Sequence, residues 1–181
     1  AHDPDDRRVG IAAAQEFAPV RPNPEALRVS QHRLREKTYL QEKGFPVAAF
    51  RHVRSLEELQ SALEALGAPA VLKTVGFGYD GKGQRVIRSA ADAPAAFAAL
   101  GGQEAVLESF VDFACELSVV VARSANGATA HWGAIENLHA NHILDVSVSP
   151  AITPGPGQAQ QAARFAQMPA ICRRIGHESP L

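Results

Sequence analysis

The sequence is poor in several things, and each shortage excludes a class of protein. An excess of positive charge is missing: eighteen Lys and Arg stand against nineteen Asp and Glu, for a net charge of −1. A nucleic-acid binder ordinarily carries a basic excess or a basic stripe, and neither is present. Long apolar runs are missing too. The longest aliphatic stretches, such as residues 117–122, are far too short to span a bilayer. Cysteine is scarce. Cys115 and Cys172 form no CxxC pair, which argues against a zinc knuckle or a disulfide scaffold and for two inert, reduced thiols in a cytosolic protein. Asp3, Asp5 and Asp6 stand where a signal peptide would be basic. There is no initiator Met, and the expectation is a fragment or a processed product. What is there is ordinary: 181 residues, 46% hydrophobic and 20% charged. That is enough for a buried core in one domain or a pair of small ones.

Residues 1–24 read as a tail and connector, with Pro19, Pro22 and Pro24 favouring an extended path. Residues 25–43 lack Pro and Gly and read as one surface helix stopped by Gly44. Residues 46–53 read as a strand. Ser55 and Glu58 form a capping box ahead of Leu56, Leu59, Leu63 and Leu66, whose spacing is helical, and Gly67 ends that helix. Residues 69–74 read as a buried strand, 84–88 as a second, 90–100 as an Ala-rich helix, and 105–111 as another strand. Residues 115–123 alternate as a strand, with Leu117, Val119 and Val121 on one face and Glu116 and Ser118 on the other. Asn126-Gly127 marks a hairpin turn, and 129–138 and 142–149 continue an antiparallel sheet. A helix is predicted to start near Gln158, with Pro169 interrupting it. The fold class is therefore α+β, with helices segregated from largely antiparallel strands.

Four of the fourteen glycines fall between Gly76 and Gly83. Gly76, Gly78 and Gly81 match G-x-G-x-x-G, and Gly81-Lys82 nearly completes a Walker A loop. Both readings fail on context. Gly83 stands where Walker A needs Ser or Thr, and a strand follows where both motifs need a helix. A strand–loop–strand flap fits better. Its glycines let backbone amides approach phosphate oxygens, with Lys82 at the tip and Lys73 at the end of the preceding strand. The competing reading is a hairpin connection with no ligand.

Residues 78–84 (GYDGKGQ) resemble the glycine-rich loop of the 5-(carboxyamino)imidazole ribonucleotide synthetases. These are ATP-grasp enzymes, the ATPase subunits of bacterial phosphoribosylaminoimidazole carboxylase. Further agreement lies at residues 31–37 (QHRLREK), 70–74 (AVLKT), 107–111 (LESFV), 116–123 (ELSVVVAR), 136–139 (ENLH) and 143–151 (ILDVSVSPA). The resemblance runs from about Pro19 to Arg174.

It implies an ATP-grasp fold, in which 25–107 form a first part carrying the flap and 108–181 a second, incomplete part. It implies ATP and Mg2+ as cofactors, and bicarbonate and aminoimidazole ribonucleotide as substrates. It also implies a cytoplasmic purine-pathway ligase whose parent enzyme is a homodimer, with no nucleic-acid or membrane partner. Arg33 would contact ATP, although His32 replaces the acid that usually precedes it. Lys73 would contact the α and β phosphates. Gly78, Tyr79, Asp80, Gly81, Lys82, Gly83 and Gln84 would cover the phosphates, with Tyr79 and Asp80 facing the imidazole substrate. Glu108, Ser109, Phe110 and Val111 would form the hinge that reads the adenine edge. Glu116 would accept from the ribose hydroxyls, and His139 would lie near the phosphates. Without the resemblance, Arg33 reads as an exposed helix arginine, and Lys73, Glu108 and Glu116 as solvated charges.

His139 and His142 form H-x-x-H, but no helix or third ligand supports a metal there. The family's metal-binding carboxylates lie on later segments, so no metal ligand is assigned in this chain. The alternatives kept open are another ATP-grasp carboxylate–amine ligase and a nucleotide-binding module without turnover.

Overall fold

The computed structural model describes residues 13–20, 24–76, 83–124, 126–140 and 143–151. The chain divides into two compact units, Ala1–Phe110 and Val111–Leu181. In the first, helices α1 (Pro24–Ser30) and α2 (Arg33–Glu42) precede β1 (Phe50–Val53), α3 (Leu56–Leu66), β2 (Ala70–Thr74) and β3 (Gln84–Ile87). A 3₁₀ turn (Ala90–Asp92), α4 (Ala93–Ala99) and β4 (Ala105–Ser109) complete it. The strands form one sheet in the order β1-β4-β2-β3, antiparallel at every pairing.

Strand alternation gives this sheet two different faces. Ala70 and Leu72 of β2 and Ala105 and Leu107 of β4 point to one side, where they join Val53 and Ile87. Leu59, Ala62 and Leu63 of α3 and Ala93 and Ala96 of α4 close over them, and all of these residues are buried. Leu56, Leu66 and Phe97 pack around that core. Its apolar helical stripe is the one read from the leucine spacing. The opposite face carries Val71, Lys73, Val106 and Glu108, and α2 packs on it against β4. Val106 is fully buried yet stands outside the main core, because it faces α2's side of the sheet. The first unit is thus three layers, helices–sheet–helix.

The single helix expected over 25–43 is two. His32 is extended (φ −130°, ψ 108°), and the Arg33 amide donates to Val75 O at 2.7 Å instead of to its own helix. An amide at a helix start has no partner within the helix, and Val75, the residue after β2, supplies one. Gly44 (φ 75°) follows α2, and Gly67 (φ 80°) caps α3, in the left-handed region that favours glycine. Half of the expected capping box forms: Ser55 Oγ accepts from the Glu58 amide at 3.2 Å. The Glu58 carboxylate turns back to Arg54 instead, taking its backbone amide at 2.8 Å and its guanidinium at 2.6 Å. A complete capping box lies at Ser89–Asp92, where the sequence reading had none.

In the second unit, the strand expected over 115–123 breaks at residues 119–120 and feeds two sheets. β5 (Glu116–Ser118) joins β8 (Ile135–Ala140) and β9 (Ile143–Val148) in the order β5-β8-β9. β6 (Val121–Arg123) pairs with β7 (Thr129–His131) around the Asn126-Gly127 turn, where Asn126 Oδ1 accepts from the Ala128 amide at 3.2 Å. The predicted helix after Gln158, with Pro169 and Cys172, lies outside the described residues.

Candidate active site

Lys73 and Glu108 sit on the α2 face of the first unit's sheet. Val71 pairs with Glu108 and Lys73 with Val106, so the lysine and the glutamate are diagonal neighbours across the β2–β4 ladder. The Lys73 ammonium donates to Glu108 Oε2 at 3.0 Å. The same oxygen meets Lys37 Nζ at 3.1 Å, and Arg33 Nε stands 3.9 Å from Oε1. The Glu108 side chain is only 8% exposed, against 14% for Lys37, 25% for Lys73 and 33% for Arg33. Three cations therefore surround one buried carboxylate, leaving two positive charges uncompensated among the described residues. Glu108 Oε1 is buried and has no hydrogen-bond partner among the described residues. An acceptor left in that state costs free energy until a donor reaches it. The cluster consequently offers two things: excess positive charge for an anion, and one buried acceptor for an N–H.

The helix start holds the cluster in register. Arg33 and Lys37 lie four residues apart on α2 and share a face. The Arg33 amide is tied to Val75 O, and its guanidinium donates to Thr74 O at 3.3 Å. Thr74 in turn anchors both ends of the glycine-rich segment. Its amide donates to Gly83 O at 2.9 Å, and its hydroxyl donates to Gly76 O at 2.9 Å. Gly78, Tyr79, Asp80, Gly81 and Lys82 lie outside the described residues; Gly83 immediately precedes β3 and Gln84 begins it.

Ser109 ends β4, and its amide donates to Ala49 O at 2.9 Å. Phe110 donates its amide to Pro69 O at 3.3 Å, and its side chain is exposed. Val111, also exposed, begins the second unit.

Within the second unit, Glu116 and His139 come together. Glu116 faces Asn137 across β5–β8 and accepts from its amide nitrogen at 3.3 Å, while His139 Nε2 lies 3.6 Å away. Asn137 also donates to Ser118 Oγ at 3.1 Å and accepts from Ser147 Oγ at 3.0 Å. One amide therefore links three strands and fixes the carboxylate.

The structure thus gathers Arg33, Lys73 and Glu108 in one cluster and Glu116 and His139 in another. Lys37 and Asn137 are additions that the sequence reading left without a role. The i, i+4 spacing of Arg33 and Lys37 was an available signal for the first. Asn137 carried none beyond its place in the ENLH string. His142 lies outside the described residues. Among the described residues there is no group of three or more His, Cys, Asp and Glu that could hold a metal ion. Cys115 is a free, half-buried thiol. No helix among the described residues is long and apolar enough to cross a membrane.

The ATP-grasp domain profile matches residues 38–175. The N5-carboxyaminoimidazole ribonucleotide synthase of Pseudomonas aeruginosa is 43% identical over 139 residues, which make up 77% of this chain and 39% of that protein. The enzyme of the same name from Bacillus subtilis is 44% identical over 142 residues, 78% of this chain and 37% of its own. An ADP complex of an N5-carboxyaminoimidazole ribonucleotide synthetase superposes with a TM-score of 0.76 at 38% identity, covering 87% of this chain and 41% of that one. The chain spans about two-fifths of the length of these relatives.

Proposed function

The chain belongs to the ATP-grasp domain family, and from that premise we propose that it holds the nucleotide for an ATP-dependent ligase. The reaction is carboxylation of aminoimidazole ribonucleotide with bicarbonate in purine (IMP) biosynthesis. The observation that carries this reading is the Arg33–Lys37–Lys73 cluster around buried Glu108. Among the described residues it carries two surplus positive charges, which suit a polyphosphate, and Glu108 Oε1 has no hydrogen-bond partner, which suits the exocyclic amine of adenine.

ATP supplies the phosphoryl group that activates bicarbonate before the amine of the ribonucleotide attacks. The residues of this chain bind and orient. Lys73 and Arg33 neutralise phosphate charge that grows during transfer. The segment 78–84 covers the phosphates, with Tyr79 and Asp80 toward the imidazole. Glu108 to Val111 read the adenine edge, Glu116 takes the ribose hydroxyls, and His139 lies by the phosphates. Magnesium would be held by ligands other than the described residues. On this reading the protein works in the cytoplasm and as a homodimer.

Calorimetric titration of the chain with ADP and with adenosine tests the assignment. ADP is expected to bind at least about tenfold more tightly, the equivalent of one charge-assisted contact. Equal affinities would remove the cation cluster from phosphate binding.

A further inference from the structure

The three cations around Glu108 are not equivalent, and the difference gives Lys37 a task of its own. Lys37 is the most buried of them, and its ammonium also lies 5.7 Å from the centre of the Phe50 ring. It is therefore anchored on two sides, by a carboxylate and by an aromatic face. Lys73 is more exposed and makes its hydrogen bond to Glu108 alone among the described residues. Arg33 is the most exposed and the most distant, at 3.9 Å. Both ammonium groups nevertheless compete for one atom, Oε2 of Glu108.

We propose that Lys37 is a positioning residue, the resident counter-ion of Glu108 that frees Lys73 to turn toward a phosphate. This rests on the reading of the cluster as a nucleotide site. A buried carboxylate cannot lose all its cations without a large desolvation penalty. If Lys73 were its only close partner, moving that ammonium to a phosphate would strand the carboxylate. With Lys37 held in place by Phe50, Glu108 stays compensated when Lys73 leaves. Oε2 is then satisfied by Lys37, and Oε1 keeps its orientation for an N–H donor. Lys37 itself touches no phosphate in this scheme. It acts through Glu108 on Lys73, so its effect scales with the phosphates of the ligand and vanishes when Glu108 is neutral.

The test is a calorimetric double-mutant cycle on the full chain, with adenosine and ADP as probes. Lys37→Met is expected to weaken ADP binding about tenfold, equivalent to roughly one unit on the logarithmic affinity scale. Adenosine affinity should change less than about twofold, and Lys37→Arg should restore most of the ADP affinity. In a Glu108→Gln background, Lys37→Met should alter ADP affinity by less than about twofold, since no charge remains to be shared. Thermal melts accompany each variant. If Lys37→Met alone fails to fold, the Glu108→Gln pair and Lys37→Arg still carry the comparison. An equal loss for adenosine and ADP would make Lys37 merely structural. An undiminished ADP loss in the Glu108→Gln background would make it a direct phosphate ligand. Either result overturns the proposal while leaving the nucleotide reading standing. Failure of the wild-type chain to bind ADP at all would overturn both.

Discussion

Lys73 and Glu108 stand diagonally across the β2–β4 ladder, with the ammonium donating to the carboxylate at 3.0 Å. Removing the lysine separates its two duties. Lys73→Ala should weaken ADP binding on the order of 1.5–3 kcal/mol, the range for hydrogen bonds to charged groups. Its thermal stability should fall much less, because Lys37 still compensates Glu108 at 3.1 Å. Calorimetry and a melting curve on the same sample check both halves. A variant that binds ADP as tightly as the wild type would exclude Lys73 from phosphate contact.

Glu108→Ala should behave in the opposite way. It leaves Arg33, Lys37 and Lys73 facing one another without their shared anion. We expect a loss of about 1–3 kcal/mol in urea unfolding, below the roughly 3–5 kcal/mol that breaking a fully buried pair costs, because the cations keep partial access to water. Added NaCl should narrow the gap to wild type by screening the repulsion. A gap that widens with salt would contradict the electrostatic account.

The other face of the sheet answers to packing alone. Leu59 is fully buried between α3 and the sheet, and Leu59→Ala should cost about 2–5 kcal/mol through the cavity it leaves. Val86, on β3 and 40% exposed, provides the control. Val86→Ala should stay within about 0.5 kcal/mol. Urea titrations of the two variants give the contrast directly, and comparable losses would mean that the core has been misidentified.

Acid should loosen the start of α4. Hydrogen bonds from the Ser89 hydroxyl and then the Ser89 amide hold the Asp92 carboxyl below its ordinary value of 3.8, helped by the Arg88 amide. A carboxyl depressed in the folded state adds stability that is fully present above its unfolded pKa. That contribution disappears as pH falls through the lower, folded value. Melting temperature should therefore decline more steeply below about pH 4 in wild type than in Asp92→Asn, which cannot titrate. Parallel acid limbs in the two proteins would refute the assignment.

How far the sequence could be read depended on whether a feature was local. Leu56, Leu59, Leu63 and Leu66 announced α3, Gly67 its end, and Asn126-Gly127 the β6–β7 turn, because spacing and backbone conformation are properties of a few neighbouring residues. The split between α1 and α2 was not legible. It is made by the Val75 carbonyl, more than forty residues away, taking the Arg33 amide. The break at residues 119–120 was hidden for the same reason. Uninterrupted alternation from Cys115 to Arg123 does not say that β5 and β6 belong to different sheets.

The site divides along the same line. The sequence by itself determined the α+β class, the α3 stripe and the glycine-rich segment through local pattern, and it pointed to Arg33, Lys73, Glu108, Glu116 and His139 through resemblance. Only the tertiary structure decided that Arg33, Lys37 and Lys73 converge on one buried carboxylate, and that Asn137 ties Glu116 to its neighbours. Strand order β1-β4-β2-β3 and the seating of α2 on β4 create that meeting. Charge neutralisation is a relation in space, falling off over a few ångströms, and a linear sequence carries residue types and spacings but not those distances.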